Sequence, residues 1–124
     1  MARILVVDDS SLARRSTRRI LETAGHEVIE AENGLSGLEQ YYLEKPTAVV
    51  LDVTMKDMDG IEVLKRLRDL DDAAKVVIVT ADVQSSTRDL AVAGGACGFV
   101  IKPVLAKSLL DALDGCLEQG AACN

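Results

Sequence analysis

The sequence predicts an α/β fold, a doubly wound five-stranded parallel sheet with helices on both faces. Short, continuous, β-branched apolar runs alternate along the chain with longer stretches of helical periodicity, the pattern of strands buried on both sides and joined by crossover helices. The connections between them are short. Asp8, Asp52, Thr80 and Lys102 each stand at the end of such a run, where an open parallel sheet presents its ligand crevice.

Ile4-Leu5-Val6-Val7 is the first strand, ended by Asp8 and Asp9. From Ser10 the pattern is helical, with Ala13, Thr17, Ile20, Leu21 and Ala24 on one face and Gly25 as the stop. Residues 27–31 form a second strand and Asn33-Gly34 a turn. A helix through Leu35, Leu38 and Tyr42 follows and ends before Pro46. Residues 48–51 make the third strand, with Asp52 at its carboxyl end. After a loop over 53–60, Ile61, Leu64 and Leu67 mark a third helix, and residues 76–79 form a fourth strand ending at Thr80. A weaker helix over 85–93 is stopped by Gly94-Gly95. Residues 98–101 form the fifth strand, closed by Lys102-Pro103. The last helix carries Leu105, Leu109, Ala112, Leu113 and Cys116 and ends near Glu118. With neither repeat nor linker in view, residues 1–124 are expected to be one domain without an output domain.

Composition narrows the function. A chain of 124 residues with 48% hydrophobic and 27% charged residues suits one soluble core and argues against disorder. Two Tyr, one Phe and no Trp cannot build stacking platforms for single strands. A formal charge of -6 repels polyanions, so no nucleic-acid partner is expected. The apolar run at residues 4–7 is too short for a signal peptide or a bilayer span, which predicts a cytoplasmic location and no membrane partner. Cys97, Cys116 and Cys123 are odd in number and fit no CxxC spacing, so reduced thiols are expected rather than a disulfide or metal cage. His26 is the single histidine and reads as a surface or capping residue, not a catalytic one.

Asp8, Asp9 and Asp52 gathered at one crevice would repel each other and push at least one carboxyl toward its neutral form. A hard divalent cation, Mg²⁺ or Mn²⁺, relieves that repulsion and commonly binds together with phosphate. Lys102 adds a point charge for a phosphoryl oxygen and Thr80 a hydroxyl donor. With one carboxylate as nucleophile, this is the minimum apparatus for moving a phosphoryl group. Taken singly, each residue has a plainer explanation. Asp8-Asp9 would complement a helix dipole, Asp52 would start a loop, Thr80 would end a strand and Lys102 would be a solvated charge. Their convergence favours the chemical reading.

Over essentially its whole length the chain resembles the receiver domains of two-component response regulators. The resemblance rests on Ile4-Leu5-Val6-Val7-Asp8-Asp9-Ser10, Leu51-Asp52-Val53-Thr54-Met55 with Met58-Asp59-Gly60, Val79-Thr80-Ala81, and Gly95-Ala96 followed by Phe99 and Lys102-Pro103. It implies the flavodoxin-like strand order 2-1-3-4-5 and a stand-alone regulator resembling those of chemotaxis. It also implies that Asp52 accepts a phosphoryl group from a histidine kinase or histidine phosphotransfer protein. Mg²⁺ would be held by Asp9, Asp52 and the carbonyl of Thr54, with Asp8 acting through a metal-bound water. Lys102 would pair with the phosphoryl oxygens, Thr80 would move to bond one of them, Phe99 would turn inward behind it, and Pro103 would follow a cis bond. A downstream protein would dock on the face of residues 85–118.

The chain departs from the family pattern in places. Lys56 stands where proline is most frequent, which is expected to loosen the loop near the metal. Phe99 replaces a frequent tyrosine and is almost equally well read as core filler. Thr54 and Asp82 occupy positions that vary with the lifetime of the acyl phosphate. Arg14, Arg15, Arg18 and Arg19 lie opposite the apolar side of the first helix, first of all as a solvated face and second as a basic ridge orienting an acidic partner. Competing functions are a phosphorelay intermediate, a Mg²⁺-dependent phosphatase and a flavin carrier. The phosphatase reading lacks the second acid, since Thr54 stands two residues after the nucleophile. The flavin reading suffers from carboxylates that repel a flavin phosphate.

Overall fold

Each apolar run becomes a strand because its alternate side chains point to opposite faces of a sheet that is covered on both. The computed structural model describes residues 2–81 and 84–122. The strands are β1 (Arg3–Val7), β2 (Glu27–Ala31), β3 (Ala48–Asp52), β4 (Val76–Thr80) and β5 (Gly98–Ile101). The helices are α1 (Ser11–Thr23), α2 (Gly34–Glu44), α3 (Gly60–Leu70), α4 (Ser85–Ala93) and α5 (Ala106–Ala122). All strand pairs are parallel, in the order β2-β1-β3-β4-β5. The predicted fold class is the observed one, and the Lys102-Pro103 bond is cis.

Alternation divides the core in two. Leu5, Val7, Val49, Leu51, Val76 and Ile78 face one side, with Tyr41, Leu64, Leu67 and Ala91 from α2, α3 and α4. Ile4, Val6, Val50, Val77, Val79 and Val100 face the other, with Leu21 of α1 and Leu109, Leu113 and Cys116 of α5. Side chains satisfy the first amide groups of three helices: Ser10 Oγ accepts from Ala13 N–H, Asn33 Oδ1 from Ser36 N–H and Asp59 Oδ1 from Ile61 N–H.

Several local expectations are corrected. Asn33-Gly34 is the start of α2 rather than a free turn. The buried stripe of α2 runs through Gly34, Gly37 and Tyr41, whereas Leu35 and Tyr42 are exposed. A Cβ on Gly37 would lie 2.9 Å from Val7 Cγ2, so small residues let α2 settle on β1. Apolar periodicity pointed to the large side chains instead. Leu105 precedes α5 and is exposed, and α5 runs on to Ala122.

The expectation of reduced thiols is also overturned. Cys97 and Cys116 form a disulfide across a Cα–Cα distance of 5.3 Å. Residue parity and CxxC spacing cannot reveal a pair made by packing. Here α5 lies against β5 at Gly98, whose missing side chain leaves Cys116 Sγ and Ala112 Cβ 3.3 Å from where a Cβ would stand. Asp82 and Cys123 lie outside the described residues.

Candidate functional site

Parallel, in-register strands bring their carboxyl ends level. Val7 is opposite Leu51, Asp52 opposite Val79, and Thr80 opposite Ile101. Asp8, just past β1, therefore stands beside Asp52 at the tip of β3, with Thr80 and Lys102 next across the sheet. Asp8, Asp9 and Asp52 each offer a carboxylate oxygen within 4.8 Å of the other two. Asp8 and Asp52 are buried, at 6% and 4% exposure, while Asp9 opens to solvent. Thr80 is fully buried. Lys102 Nζ lies 3.4 Å from Asp8 Oδ2 and 3.5 Å from Asp52 Oδ1.

Backbone contacts hold these acids in place. Asp8 Oδ1 accepts from Ser10 N–H at 2.9 Å, and Arg14 Nη1 donates to the Asp8 carbonyl at 2.7 Å. Asp52 Oδ1 accepts from Thr54 N–H at 3.4 Å. The α3 amino end closes directly onto β3, because a Cβ on Gly60 would fall 2.5 Å from the Asp52 carbonyl oxygen. Only glycine fits this approach without displacing the backbone that carries Asp52.

Lys56 corrects an expectation. Its backbone N–H donates to Asp9 Oδ2 at 3.1 Å, a contact that proline could not make. The loop thus gains a tie to the acidic cluster where it was expected to loosen. Asp57 was missed altogether. Its carboxylate accepts from Gly34 N–H at 3.0 Å and Leu35 N–H at 3.2 Å, and those amide groups, led by Gly34, hold it below the usual carboxylate range. It fastens the loop after β3 to the start of α2. No sequence signal marks a cap supplied from so far along the chain.

Burial, followed by the neighbouring Asp8 charge, pushes the Asp52 carboxyl from its ordinary 3.8 up to about 6, against the opposing pull of Lys102 and the Thr54 amide. One ammonium among three carboxylates leaves the crevice acidic. The donor set consists of hard oxygens, one of them solvent-facing, and fits a hydrated Mg²⁺ or Mn²⁺ better than a soft metal.

Phe99 is half-buried against the core on the α3–α4 side, with the Arg88 guanidinium 5.6 Å from its ring centroid. The arginine ridge is split. Arg14 and Arg18 are committed to Glu30 at 3.2 and 2.5 Å, while Arg15 and Arg19 remain exposed. Arg18, with help from Arg14, keeps Glu30 well below its usual range. His26 Nδ1 accepts from Ala2 N–H at 3.0 Å, the capping role expected of it.

Comparisons with known proteins agree with this geometry. The response regulator receiver domain family matches residues 4–114. The chain is 39% identical over 117 residues to the chemotaxis protein CheY of Bacillus subtilis, covering 94% of this chain and 98% of that one. It superposes with a TM-score of 0.93 and 29% identity on the CheY-like receiver domain protein of Methanospirillum hungatei, covering 100% and 99% of the two chains. The CheX-CheY-BeF3-Mg complex of Borrelia burgdorferi matches at a TM-score of 0.86 and 27% identity, over 90% of this chain and 85% of that one. With its acids, hydroxyl and lysine converging at the strand ends, the chain belongs to the response regulator receiver domain family, as a phosphorylation-activated signalling switch of the chemotaxis type.

Proposed function

We propose that Asp52 is the phosphoacceptor, with Asp8, Asp9 and the Thr54 carbonyl completing a Mg²⁺ site in which Mn²⁺ can substitute. The observation that carries this reading is the burial of Asp52 within 4.8 Å of two further carboxylates and 3.5 Å from Lys102. Bound Mg²⁺ would supply positive charge against the carboxylates and the incoming phosphoryl oxygens. A carboxyl shifted up to about 6 is the weaker nucleophile when protonated, and Lys102 beside it favours the ionised form. An Asp52 oxygen then bonds to phosphorus as the bond to the donor imidazole nitrogen of a histidine kinase or phosphotransfer protein breaks. Lys102 meets the added charge, and Thr80, one strand away, offers its hydroxyl to a phosphoryl oxygen.

The chemistry is confined to the protein's own phosphorylation and dephosphorylation. Thr54, two residues after Asp52, offers no acid to serve a turnover phosphatase. Movement of Thr80 and Phe99 would alter the face of residues 85–118, where a downstream protein binds. The Borrelia burgdorferi CheY complex with CheX supports a protein target. Coverage of 98% of the Bacillus subtilis relative supports reading residues 1–124 as a single receiver domain. The likeness to CheY proteins and the charge of -6 support a cytoplasmic switch independent of membrane and nucleic acid; no described helix is long and apolar enough to cross a membrane.

Incubation with a small acyl phosphate and Mg²⁺ should add one phosphoryl group by intact mass. Asp52→Asn or chelation of the metal should abolish it, and Asp9→Ala should weaken Mg²⁺ binding roughly tenfold or more. Normal labelling of Asp52→Asn would refute the assignment.

A further inference from the structure

We propose that Cys97 and Cys116 are a reversible dithiol–disulfide couple that pins β5 to α5 and sets how readily this face answers phosphorylation. The pair bridges elements 19 residues apart in sequence, and both cysteines pack with the cluster on the α1–α5 side. Cys97 is partly exposed and Cys116 is 1% exposed, so Cys97 is the more accessible partner and Cys116 lies behind it. The reduced state is accommodated as well, since the Val76 carbonyl lies 3.5 Å from Cys97 Sγ as an acceptor for its thiol. Disulfides of proteins held in reducing compartments are characteristically transient or sensing rather than structural.

The step balances with a low-molecular-weight disulfide as oxidant. The Cys97 thiolate attacks one of its sulfurs and releases one small thiol, giving a mixed disulfide. The Cys116 thiol, losing its proton, then attacks Cys97 Sγ and expels the second. Two protein thiols are oxidised and one small disulfide is reduced to two thiols.

The link to signalling follows from position. Cys97 immediately precedes β5, two residues before Phe99, and Lys102 follows the last residue of that strand, Ile101. The crosslink is present together with the contact of Arg88 on Phe99, and it restrains the start of the strand whose shift the switch requires. The oxidised protein should therefore respond less. This coupling rests on the phosphoacceptor reading of Asp52; the couple itself does not.

The test uses full-length Cys123→Ser protein equilibrated in glutathione/glutathione disulfide mixtures, then acid-quenched, alkylated and digested with trypsin. Cleavage after Lys107 places Cys97 and Cys116 on separate peptides. A linked pair that appears with oxidation and vanishes on reduction is the expected result. Alkylation of both cysteines at every ratio, or a glutathione adduct on Cys97 without the link, would overturn the couple. In parallel, the rate of phosphorylation by a small acyl phosphate should differ at least threefold, the reduced form being faster, and Cys97→Ser should erase the difference. Equal rates in fully linked and fully reduced protein would overturn the coupling. If neither form is phosphorylated, the Asp52 reading fails and the coupling with it, while the peptide map still decides the couple.

Discussion

The two edges of the sheet are held by different means. At the β2 edge, Glu30 takes ion pairs from Arg14 and Arg18, Arg3 pairs with Glu44, and His26 accepts from Ala2. At the β5 edge, α4 buries only Ala91 and starts after Gln84 without a side-chain cap, among the described residues. Ile101 and Leu105 are exposed, and the Phe99 ring is covered on one side by the guanidinium of the exposed Arg88. The Cys97–Cys116 bond and the buried Val100, Leu109 and Leu113 hold α5 to this edge, so its lightly held part is α4. Few buried contacts mean low local cost of rearrangement. The edge that carries Phe99 and leads to Lys102 is the one the proposed switch would move, with the β2 edge as the reference.

The largest test breaks the coupling between Asp52 and the β5 edge. NMR shifts on phosphorylation should concentrate in residues 85–118 and spare 27–44. Thr80→Ala should keep phosphorylation but erase most of the shift, because the hydroxyl that distinguishes the two states is gone. Shifts of equal size at both edges would remove the distinction.

Next, Gly60→Ala should disturb the common floor of both edges. Its Cβ meets backbone of Asp52 and Val53 at 2.5 Å, so chemical denaturation should show a loss of about 3 kcal/mol together with weaker Mg²⁺ binding.

A comparable effect is expected from pH in metal-free protein. The folded Asp52 pKa, about 6, lies above its ordinary 3.8, so the proton is bound more tightly in the folded state. That contribution is fully present below pH 4 and is lost as pH rises through 6, a difference of about 3 kcal/mol in order of magnitude. Stability curves of wild type and Asp52→Asn should converge at low pH and separate above 6, with the variant more stable.

The smallest effect sharpens the other side. Glu30→Gln removes the anchor of Arg14 and Arg18 at the β2 edge. Partly exposed ion pairs contribute little, so a drop of only a few degrees in melting temperature is expected, with phosphorylation unchanged.

How much of this was legible beforehand depends on the range of the interaction. Apolar runs such as 4–7 and 76–79 announce buried parallel strands, because period and side-chain branching are local properties. Asp8, Asp9, Asp52, Thr80 and Lys102 were readable for a related reason. Each ends a strand, and parallel strands in one sheet bring all such ends to the same rim. The candidate site is therefore encoded by position within each run rather than by long-range detail.

Other features depend on which surfaces meet. Whether Tyr41 or Tyr42 faces inward was decided by Gly34 and Gly37 seating α2 on its neighbours. The Asp57 cap of α2, the Lys56 tie to Asp9 and the commitment of half the arginine ridge to Glu30 all join segments distant in sequence. The pairing of Cys97 with Cys116 arises where α5 rests on Gly98. The sequence by itself determined the order of strands and helices along the chain and the chemistry of the strand ends, both consequences of local periodicity. Tertiary structure alone decided helix phase, charge partners and the sulfur bridge, because short-range forces act only between groups that packing has already brought together.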